Sequence, residues 1–228
     1  MHTCEFDTPQ GRICALRNPG KGLPVLALHG WLDNAASFVP LAEHLQALDL
    51  VAMDLPGHGR SLHLPAGAEY SFNTALMAVL DVADALGWAQ FALLGHSMGA
   101  GIASLLAAAC PQRITQLVAI EMLGALTEPP ERTAMRMREA LAAQRERATR
   151  GLRVFADVDT AVQARLHASR VPGSGLDAPL VRLLVARGVR AVQAGYVWSS
   201  DPRLTLPSLT RMTAAQVDAV LDAIECPS

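Results

Sequence analysis

The sequence predicts an α/β domain: a mostly parallel central sheet covered by helices, with a helical cap inserted late in the chain. Three observations predict it. Short runs that are apolar on both faces recur at Pro24–Leu28, Leu50–Asp54, Phe91–Leu94 and Ile114–Ile120, as strands buried between two helix layers must be. Stretches of helical character separate these runs, the alternation that makes a parallel sheet. Beyond Glu121 the composition shifts to Arg, Glu and Ala, and no strand-like alternation follows.

Taken in order, Thr3–Asp7 and Arg12–Arg17 read as a leading hairpin, and PVLAL at 24–28 as the first buried strand, ending in His29-Gly30. A helix over Ser37–Leu48 leads to the strand Leu50–Asp54. Ser71–Leu86 is a helix, with apolar residues at 72, 75, 76, 79, 80, 82, 83 and 86, the spacing of one buried face. Phe91–Leu94 and Ile114–Ile120 are the third and fourth buried strands. From Thr127, Pro129-Pro130 suits a helix start and Gly151 a stop. Further helical pieces fall at 160–167 and 176–187, parted by Pro172-Gly173-Ser174-Gly175. Thr213-Ala-Ala-Gln216 forms a capping box ahead of Val217, Val220, Leu221 and Ile224. These elements divide the chain into a core at 1–122, a helical cap at 123–205 and a return helix at 206–228.

A chain of 228 residues with 51% hydrophobic and 18% charged residues is long and apolar enough to bury a sizeable core. Its net charge of −2 gives no electrostatic reason to expect nucleic acid or an anionic membrane as partner. Lys21 is the one lysine, and every other side-chain cation is arginine or histidine, which reads as a GC-rich coding bias. Four cysteines at 4, 14, 110 and 226 form no CxxC, and the N-terminus lacks a signal-peptide core, so a reduced cytoplasmic protein is expected. Phe91–Cys110 is twenty residues without formal charge and contains Gly95-x-x-x-Gly99, the spacing of packed membrane helices. Its glycines instead cluster around His96 and Ser97, where a strand–turn–helix break falls. No metal-ligand cluster and no cofactor motif is present, so none is expected.

Gly95-His96-Ser97-Met98-Gly99 matches G-x-S-x-G between an apolar strand and an Ala-rich helix. That context suits a nucleophilic serine lifted above a sheet by a tight turn, at a helix N-terminus that favours developing negative charge. The alternative is a packing turn that merely requires glycines. His29-Gly30-Trp31 follows the earlier strand, so the backbone amides of Trp31 and Met98 are the candidate oxyanion-hole donors; Trp31 as an ordinary apolar filler remains the alternative. His29 reads as a loop-fixing side chain. Asp54-Leu-Pro-Gly-His-Gly-Arg-Ser61 reads as a shaped loop with Asp54 as its hydrogen-bonding organiser.

HGW, DLPGHGRS and GHSMG, in that order, resemble the α/β-hydrolase superfamily. HGWLDNAASF at 29–38 and LLVARGVRAVQAGYVWSSDPRL at 183–204 narrow the resemblance to serine hydrolase-like proteins. It implies the α/β-hydrolase fold and an enzyme of the carboxylesterase-like serine hydrolase class. Ser97 would form an acyl-enzyme from a small ester or related acyl substrate, helped by an acid and a histidine on later loops. Glu121, at the end of the fourth strand, is the candidate acid, with a solvated strand-end carboxylate as the alternative. The family's histidine lies beyond the position of Ser228, so the resemblance also implies that the last strands are missing, that the chain is a fragment inactive by itself, and that the 114–120 strand is an open edge inviting self-association. His96, His58, His63 and His167 are not placed to substitute. The competing expectation is a non-catalytic α/β-hydrolase-like binding protein or a vestigial gene product. Arg136, Arg138 and Arg145 read as a solvated helix face with Glu139 and Glu146 interspersed, in preference to an anionic-substrate site.

Overall fold

The computed structural model describes residues 1–146, 152–169 and 176–228. Its main sheet has six strands in the order β1-β2-β4-β3-β5-β6. β1 (His2–Thr8) and β2 (Gly11–Asn18) form the leading antiparallel hairpin, and β2 runs antiparallel to β4 (Asp49–Met53). β3 (Pro24–Leu28), β5 (Phe91–His96) and β6 (Ile114–Ile120) continue in parallel from β4.

Alternation sends the side chains of each central strand to two different cores. Leu26, Leu28, Val51, Met53, Phe91 and Leu93 face α2 (Phe72–Ala85) and α3 (Met98–Ala109). Val25, Ala27, Leu50, Ala52, Ala92 and Leu94 face a 3-10 turn at Ala35–Phe38 and the one-turn α1 (Val39–Ala42). With both sides covered, neither can be polar, which is why these strands read as continuous apolar runs. Ser71 caps α2 by accepting from the Thr74 amide.

α3 is buried from Gly99 to Ala107, between the sheet and α7 (Ala214–Asp222). This burial accounts for the uncharged 91–110 stretch, and no described helix is long and apolar enough to cross a membrane. The Thr213–Gln216 capping box is formed on α7. β6 pairs with β5 on one side, and on its other side the Leu117 amide donates to the Pro227 carbonyl at 2.9 Å. Val118 and Ile120 on β6 are 53% and 42% exposed.

The helical cap begins with α4 (Thr133–Glu146) and continues with α5 (Val158–Ala168) and α6 (Ala178–Gly188). Phe155, Ala161, Val162, Val181 and Val185 give it a small core of its own. Polar bonds fasten it to the sheet domain. Arg187 on α6 is ion-paired with Asp54 at 2.8 Å, with the carboxylate fully buried and the guanidinium 5% exposed. Asn34 donates to the Leu184 carbonyl, the Trp31 indole to the Leu204 carbonyl, and Tyr70 to Asp201, which Arg203 also holds.

Three details differ from the sequence reading. The helix expected over 37–48 is a 3-10 turn followed by a single α-turn, because the 43–48 segment instead descends by successive turns into β4. The cap contains a hairpin, β7 (Val189–Val192) and β8 (Gly195–Trp198), where only helix was expected. Arg136 is not part of a solvated face: it forms a two-point ion pair with Glu128, which also holds Arg132. The expected helix stop at Gly151 and the 172–175 break lie outside the described residues.

Candidate functional site

β5 runs into α3 through Ser97, whose backbone takes φ +50, ψ −118, a conformation costly for any residue with a side chain. Three bonds hold the turn. The Ser97 amide donates to the Ile120 carbonyl of β6, while its carbonyl accepts from Ala100 and Gly101. The neighbouring glycines permit close approach. A Cβ on Gly99 would lie 2.0 Å from the Leu28 carbonyl oxygen, and one on Gly95 2.4 Å from Ala100 Cα. The loop after β3 passes equally close, since a Cβ on Gly30 would sit 3.1 Å from His96 Nδ1 and 3.5 Å from Ser97 Cβ. The β3 and β5 carboxyl ends thus bring Gly30, His96 and Ser97 together. Trp31, 54% exposed, follows Gly30 on that loop, and Met98 opens α3.

Parallel register sets His96 opposite Ile120, so Glu121 emerges beside the histidine. His96 Nε2 and Glu121 Oε2 are 3.1 Å apart. Glu121 has φ +73 and a side chain 64% exposed. The pairing of this carboxylate with His96 was not anticipated from the sequence; the strand register supplies it.

Asp54 organises the neighbouring loop. It accepts from the amides of Ala35 and Arg60 as well as from Arg187. His29 is fully buried behind it. Its Nε2 accepts from the Leu55 amide while Nδ1 lies 2.8 Å from the Gly30 carbonyl, an arrangement that suits a neutral ring. His58 packs edge-on against His29 at 4.9 Å between ring centres and is 2% exposed. Burial, reinforced by the His29 neighbour, pushes the His58 pKa down to about 3, and burial lowers His29 as well.

This pair makes stability pH-dependent. Both folded-state values lie below the unfolded value near 6.5, so their contribution is complete above pH 6.5. It is lost as pH falls from there toward 3, because the unfolded chain takes up the protons first. The urea midpoint is expected to fall between pH 7 and pH 5, with a limiting slope of about 1.4 kcal/mol per unit for each histidine. His58→Asn should flatten that dependence. An unchanged midpoint between the two pH values would mean that the rings are hydrated.

The geometry corrects the expectation that the chain is an enzyme of the carboxylesterase-like serine hydrolase class. No hydrogen bond joins Ser97 to a histidine among the described residues. His96 is turned to Glu121, His29 and His58 are buried in the Asp54 loop, and His63 is bonded to the Ser199 carbonyl near Asp201. His167 lies on cap helix α5. Among the described residues no catalytic triad is assembled, and a serine hydroxyl without an adjacent base is a weak nucleophile. Among the described residues no group of three or more His, Cys, Asp or Glu side chains gathers as a metal site either.

Residues 24–174 match a family model described as the alpha/beta hydrolase fold. A serine hydrolase-like protein of Dictyostelium discoideum is 33% identical over 216 residues, covering 89% of this chain and 57% of that protein. One of Danio rerio is 33% identical over 210 residues, covering 91% and 64%. The chain therefore spans about three-fifths of the length of these curated relatives. Among solved structures, a hypothetical protein of Pseudomonas aeruginosa PAO1 superposes with TM-score 0.93 at 40% identity, over 100% of this chain and 79% of that one. A thioesterase domain from the curacin biosynthetic pathway superposes with TM-score 0.80 at 28% identity, over 100% and 80%. In sequence and in fold, the chain belongs to the α/β-hydrolase family.

Proposed function

We propose that these 228 residues form the acyl-binding part of a serine-hydrolase-like site, which holds a small acyl or ester ligand over Ser97 without turning it over. The observation that carries this reading is Ser97 itself: it is held in a strained turn against the Gly30 loop, with no histidine bonded to its hydroxyl among the described residues. In this reading the Ser97 hydroxyl lies against the ligand's acyl group, the Trp31 and Met98 amides face its carbonyl oxygen, and Glu121 is the carboxylate at the edge of the site. The core spans 1–122, the cap that roofs the ligand 123–205, and the return helix 206–228. Removing the base of a serine hydrolase costs on the order of 10⁶ in kcat, so a site lacking one binds rather than reacts. The serine hydrolase-like relatives and the thioesterase domain support the ligand class.

The test pairs turnover with binding. Hydrolysis of p-nitrophenyl acetate should be the same for the chain and for Ser97→Ala. Saturation-transfer NMR should show binding of ethyl butyrate, weakened in Ser97→Asn, whose longer side chain intrudes above the turn. Turnover that exceeds Ser97→Ala more than tenfold would overturn the non-catalytic reading, and absence of saturation transfer would overturn the ligand reading.

A further inference from the structure

A cavity of about 210 Å³ lies where the cap meets the loop after β3. Its walls include Asp33, Asn34, Arg153, Arg165, Trp198 and Ser199. None of Gly30, Trp31, His96, Ser97 and Met98 lines it. We infer that this cavity is a binding site for a small organic carboxylate, separate from the Ser97 site.

Two features of the wall point to that ligand. Arg165 forms no ion pair within 4.0 Å among the described residues, although it lines the same space. The Arg153 guanidinium lies 4.9 Å from the centre of the Phe155 ring, and such stacking leaves the in-plane N–H groups free for an anion.

Charge and size narrow the choice. Two guanidinium groups face a single carboxylate, Asp33, so the wall carries one net positive charge and balances a monoanion. A planar carboxylate matches the guanidinium fork. Trp198, Leu184 and Val185 supply an apolar side for a short hydrocarbon body. The volume is below the range usual for drug-sized ligands, which limits the occupant to a few carbons.

The experiment titrates the full chain with sodium butyrate by ligand-observed NMR, with butyramide and inorganic phosphate as comparators. Butyrate should bind at least about tenfold more tightly than butyramide, the scale of one hydrogen bond to a charged group. Arg165→Gln should weaken butyrate by about the same factor, and Ser97→Ala should leave it unchanged. Thermal unfolding checks that each variant folds. If Arg165→Gln does not, Arg153→Gln carries the charge test, because that side chain is exposed. Equal binding of butyramide, tighter binding of phosphate, or affinity unaltered in the arginine variants would overturn the inference. Butyrate binding lost in Ser97→Ala would place the ligand at the other site and overturn it too.

Discussion

Gly99→Ala is expected to abolish a stable native state. The added Cβ would lie 2.0 Å from the Leu28 carbonyl oxygen, 2.5 Å from its carbon and 2.8 Å from the His29 carbonyl oxygen. All three are backbone atoms. They cannot rotate away, because β3 is hydrogen-bonded to β4 on one side and β5 on the other. Relief requires moving α3 off the sheet, which opens the core formed by Ile102, Ala103 and Leu106 against Leu26, Leu28 and Leu93. Overpacking into yielding side chains costs about 1–3 kcal/mol. A clash with a fixed backbone should exceed that, and so consume much of the roughly 5–15 kcal/mol that holds a domain folded. Urea unfolding followed by circular dichroism gives the measurement. Gly188→Ala is the matched control, since its new Cβ meets only the Asn34 side-chain nitrogen at 3.2 Å. A Gly99→Ala protein with the control's midpoint would show that α3 sits farther from β3 than described.

Breaking the Asp54–Arg187 pair should be the next most damaging change. Asp54 is fully buried and accepts from two loop amides besides the guanidinium. Arg187→Met leaves that carboxylate without its counter-charge, and Asp54→Ala leaves a nearly buried cation facing an apolar wall. Removing one partner of a buried pair costs about 3–5 kcal/mol. Asp54→Ala is expected to be the worse of the two, because the Ala35 and Arg60 amides also lose their acceptor. The double variant Asp54→Ala, Arg187→Met should recover part of the loss, since no charge is then left buried. Equilibrium unfolding of the three proteins decides it. If the double variant were as unstable as the sum of the two single changes, the pair would not be acting as a unit. Hydrogen exchange adds a local reading, with protection of α6 falling first if the pair is what fastens the cap.

The elements legible in the sequence were those whose signal is local. Parallel strands between two helix layers must be apolar on both faces, so 24–28, 50–54, 91–94 and 114–120 stood out, and the observed strands lie within two residues of each reading. The helix over 71–86 showed its buried face, and α7 its capping box. The Gly95–Gly99 turn was readable because close approach of two backbones leaves no room for a side chain there. β7 and β8 were missed because their two-residue connection, Gln193-Ala194, carries no Asn-Gly or Asp-Gly signature, and because four-residue strands give too few positions to show alternation.

Chain order and residue type therefore determined the sheet, its helical covering, the family and the candidate residues Ser97, Trp31, Met98 and Glu121. Only the tertiary structure decided which of the chemically able side chains meet. Asp54 and Arg187 are separated by 133 residues, and no local periodicity encodes their contact. His96 meets Glu121 because β5 and β6 are in one register, and that contact turns the histidine next to the serine toward a carboxylate. Arg136 became the partner of Glu128 for the same reason, since the fold and not the helix repeat set its neighbour. Backbone preferences act over a few residues and are written along the chain, whereas ion pairs and catalytic contacts depend on distances across elements that exist only after packing.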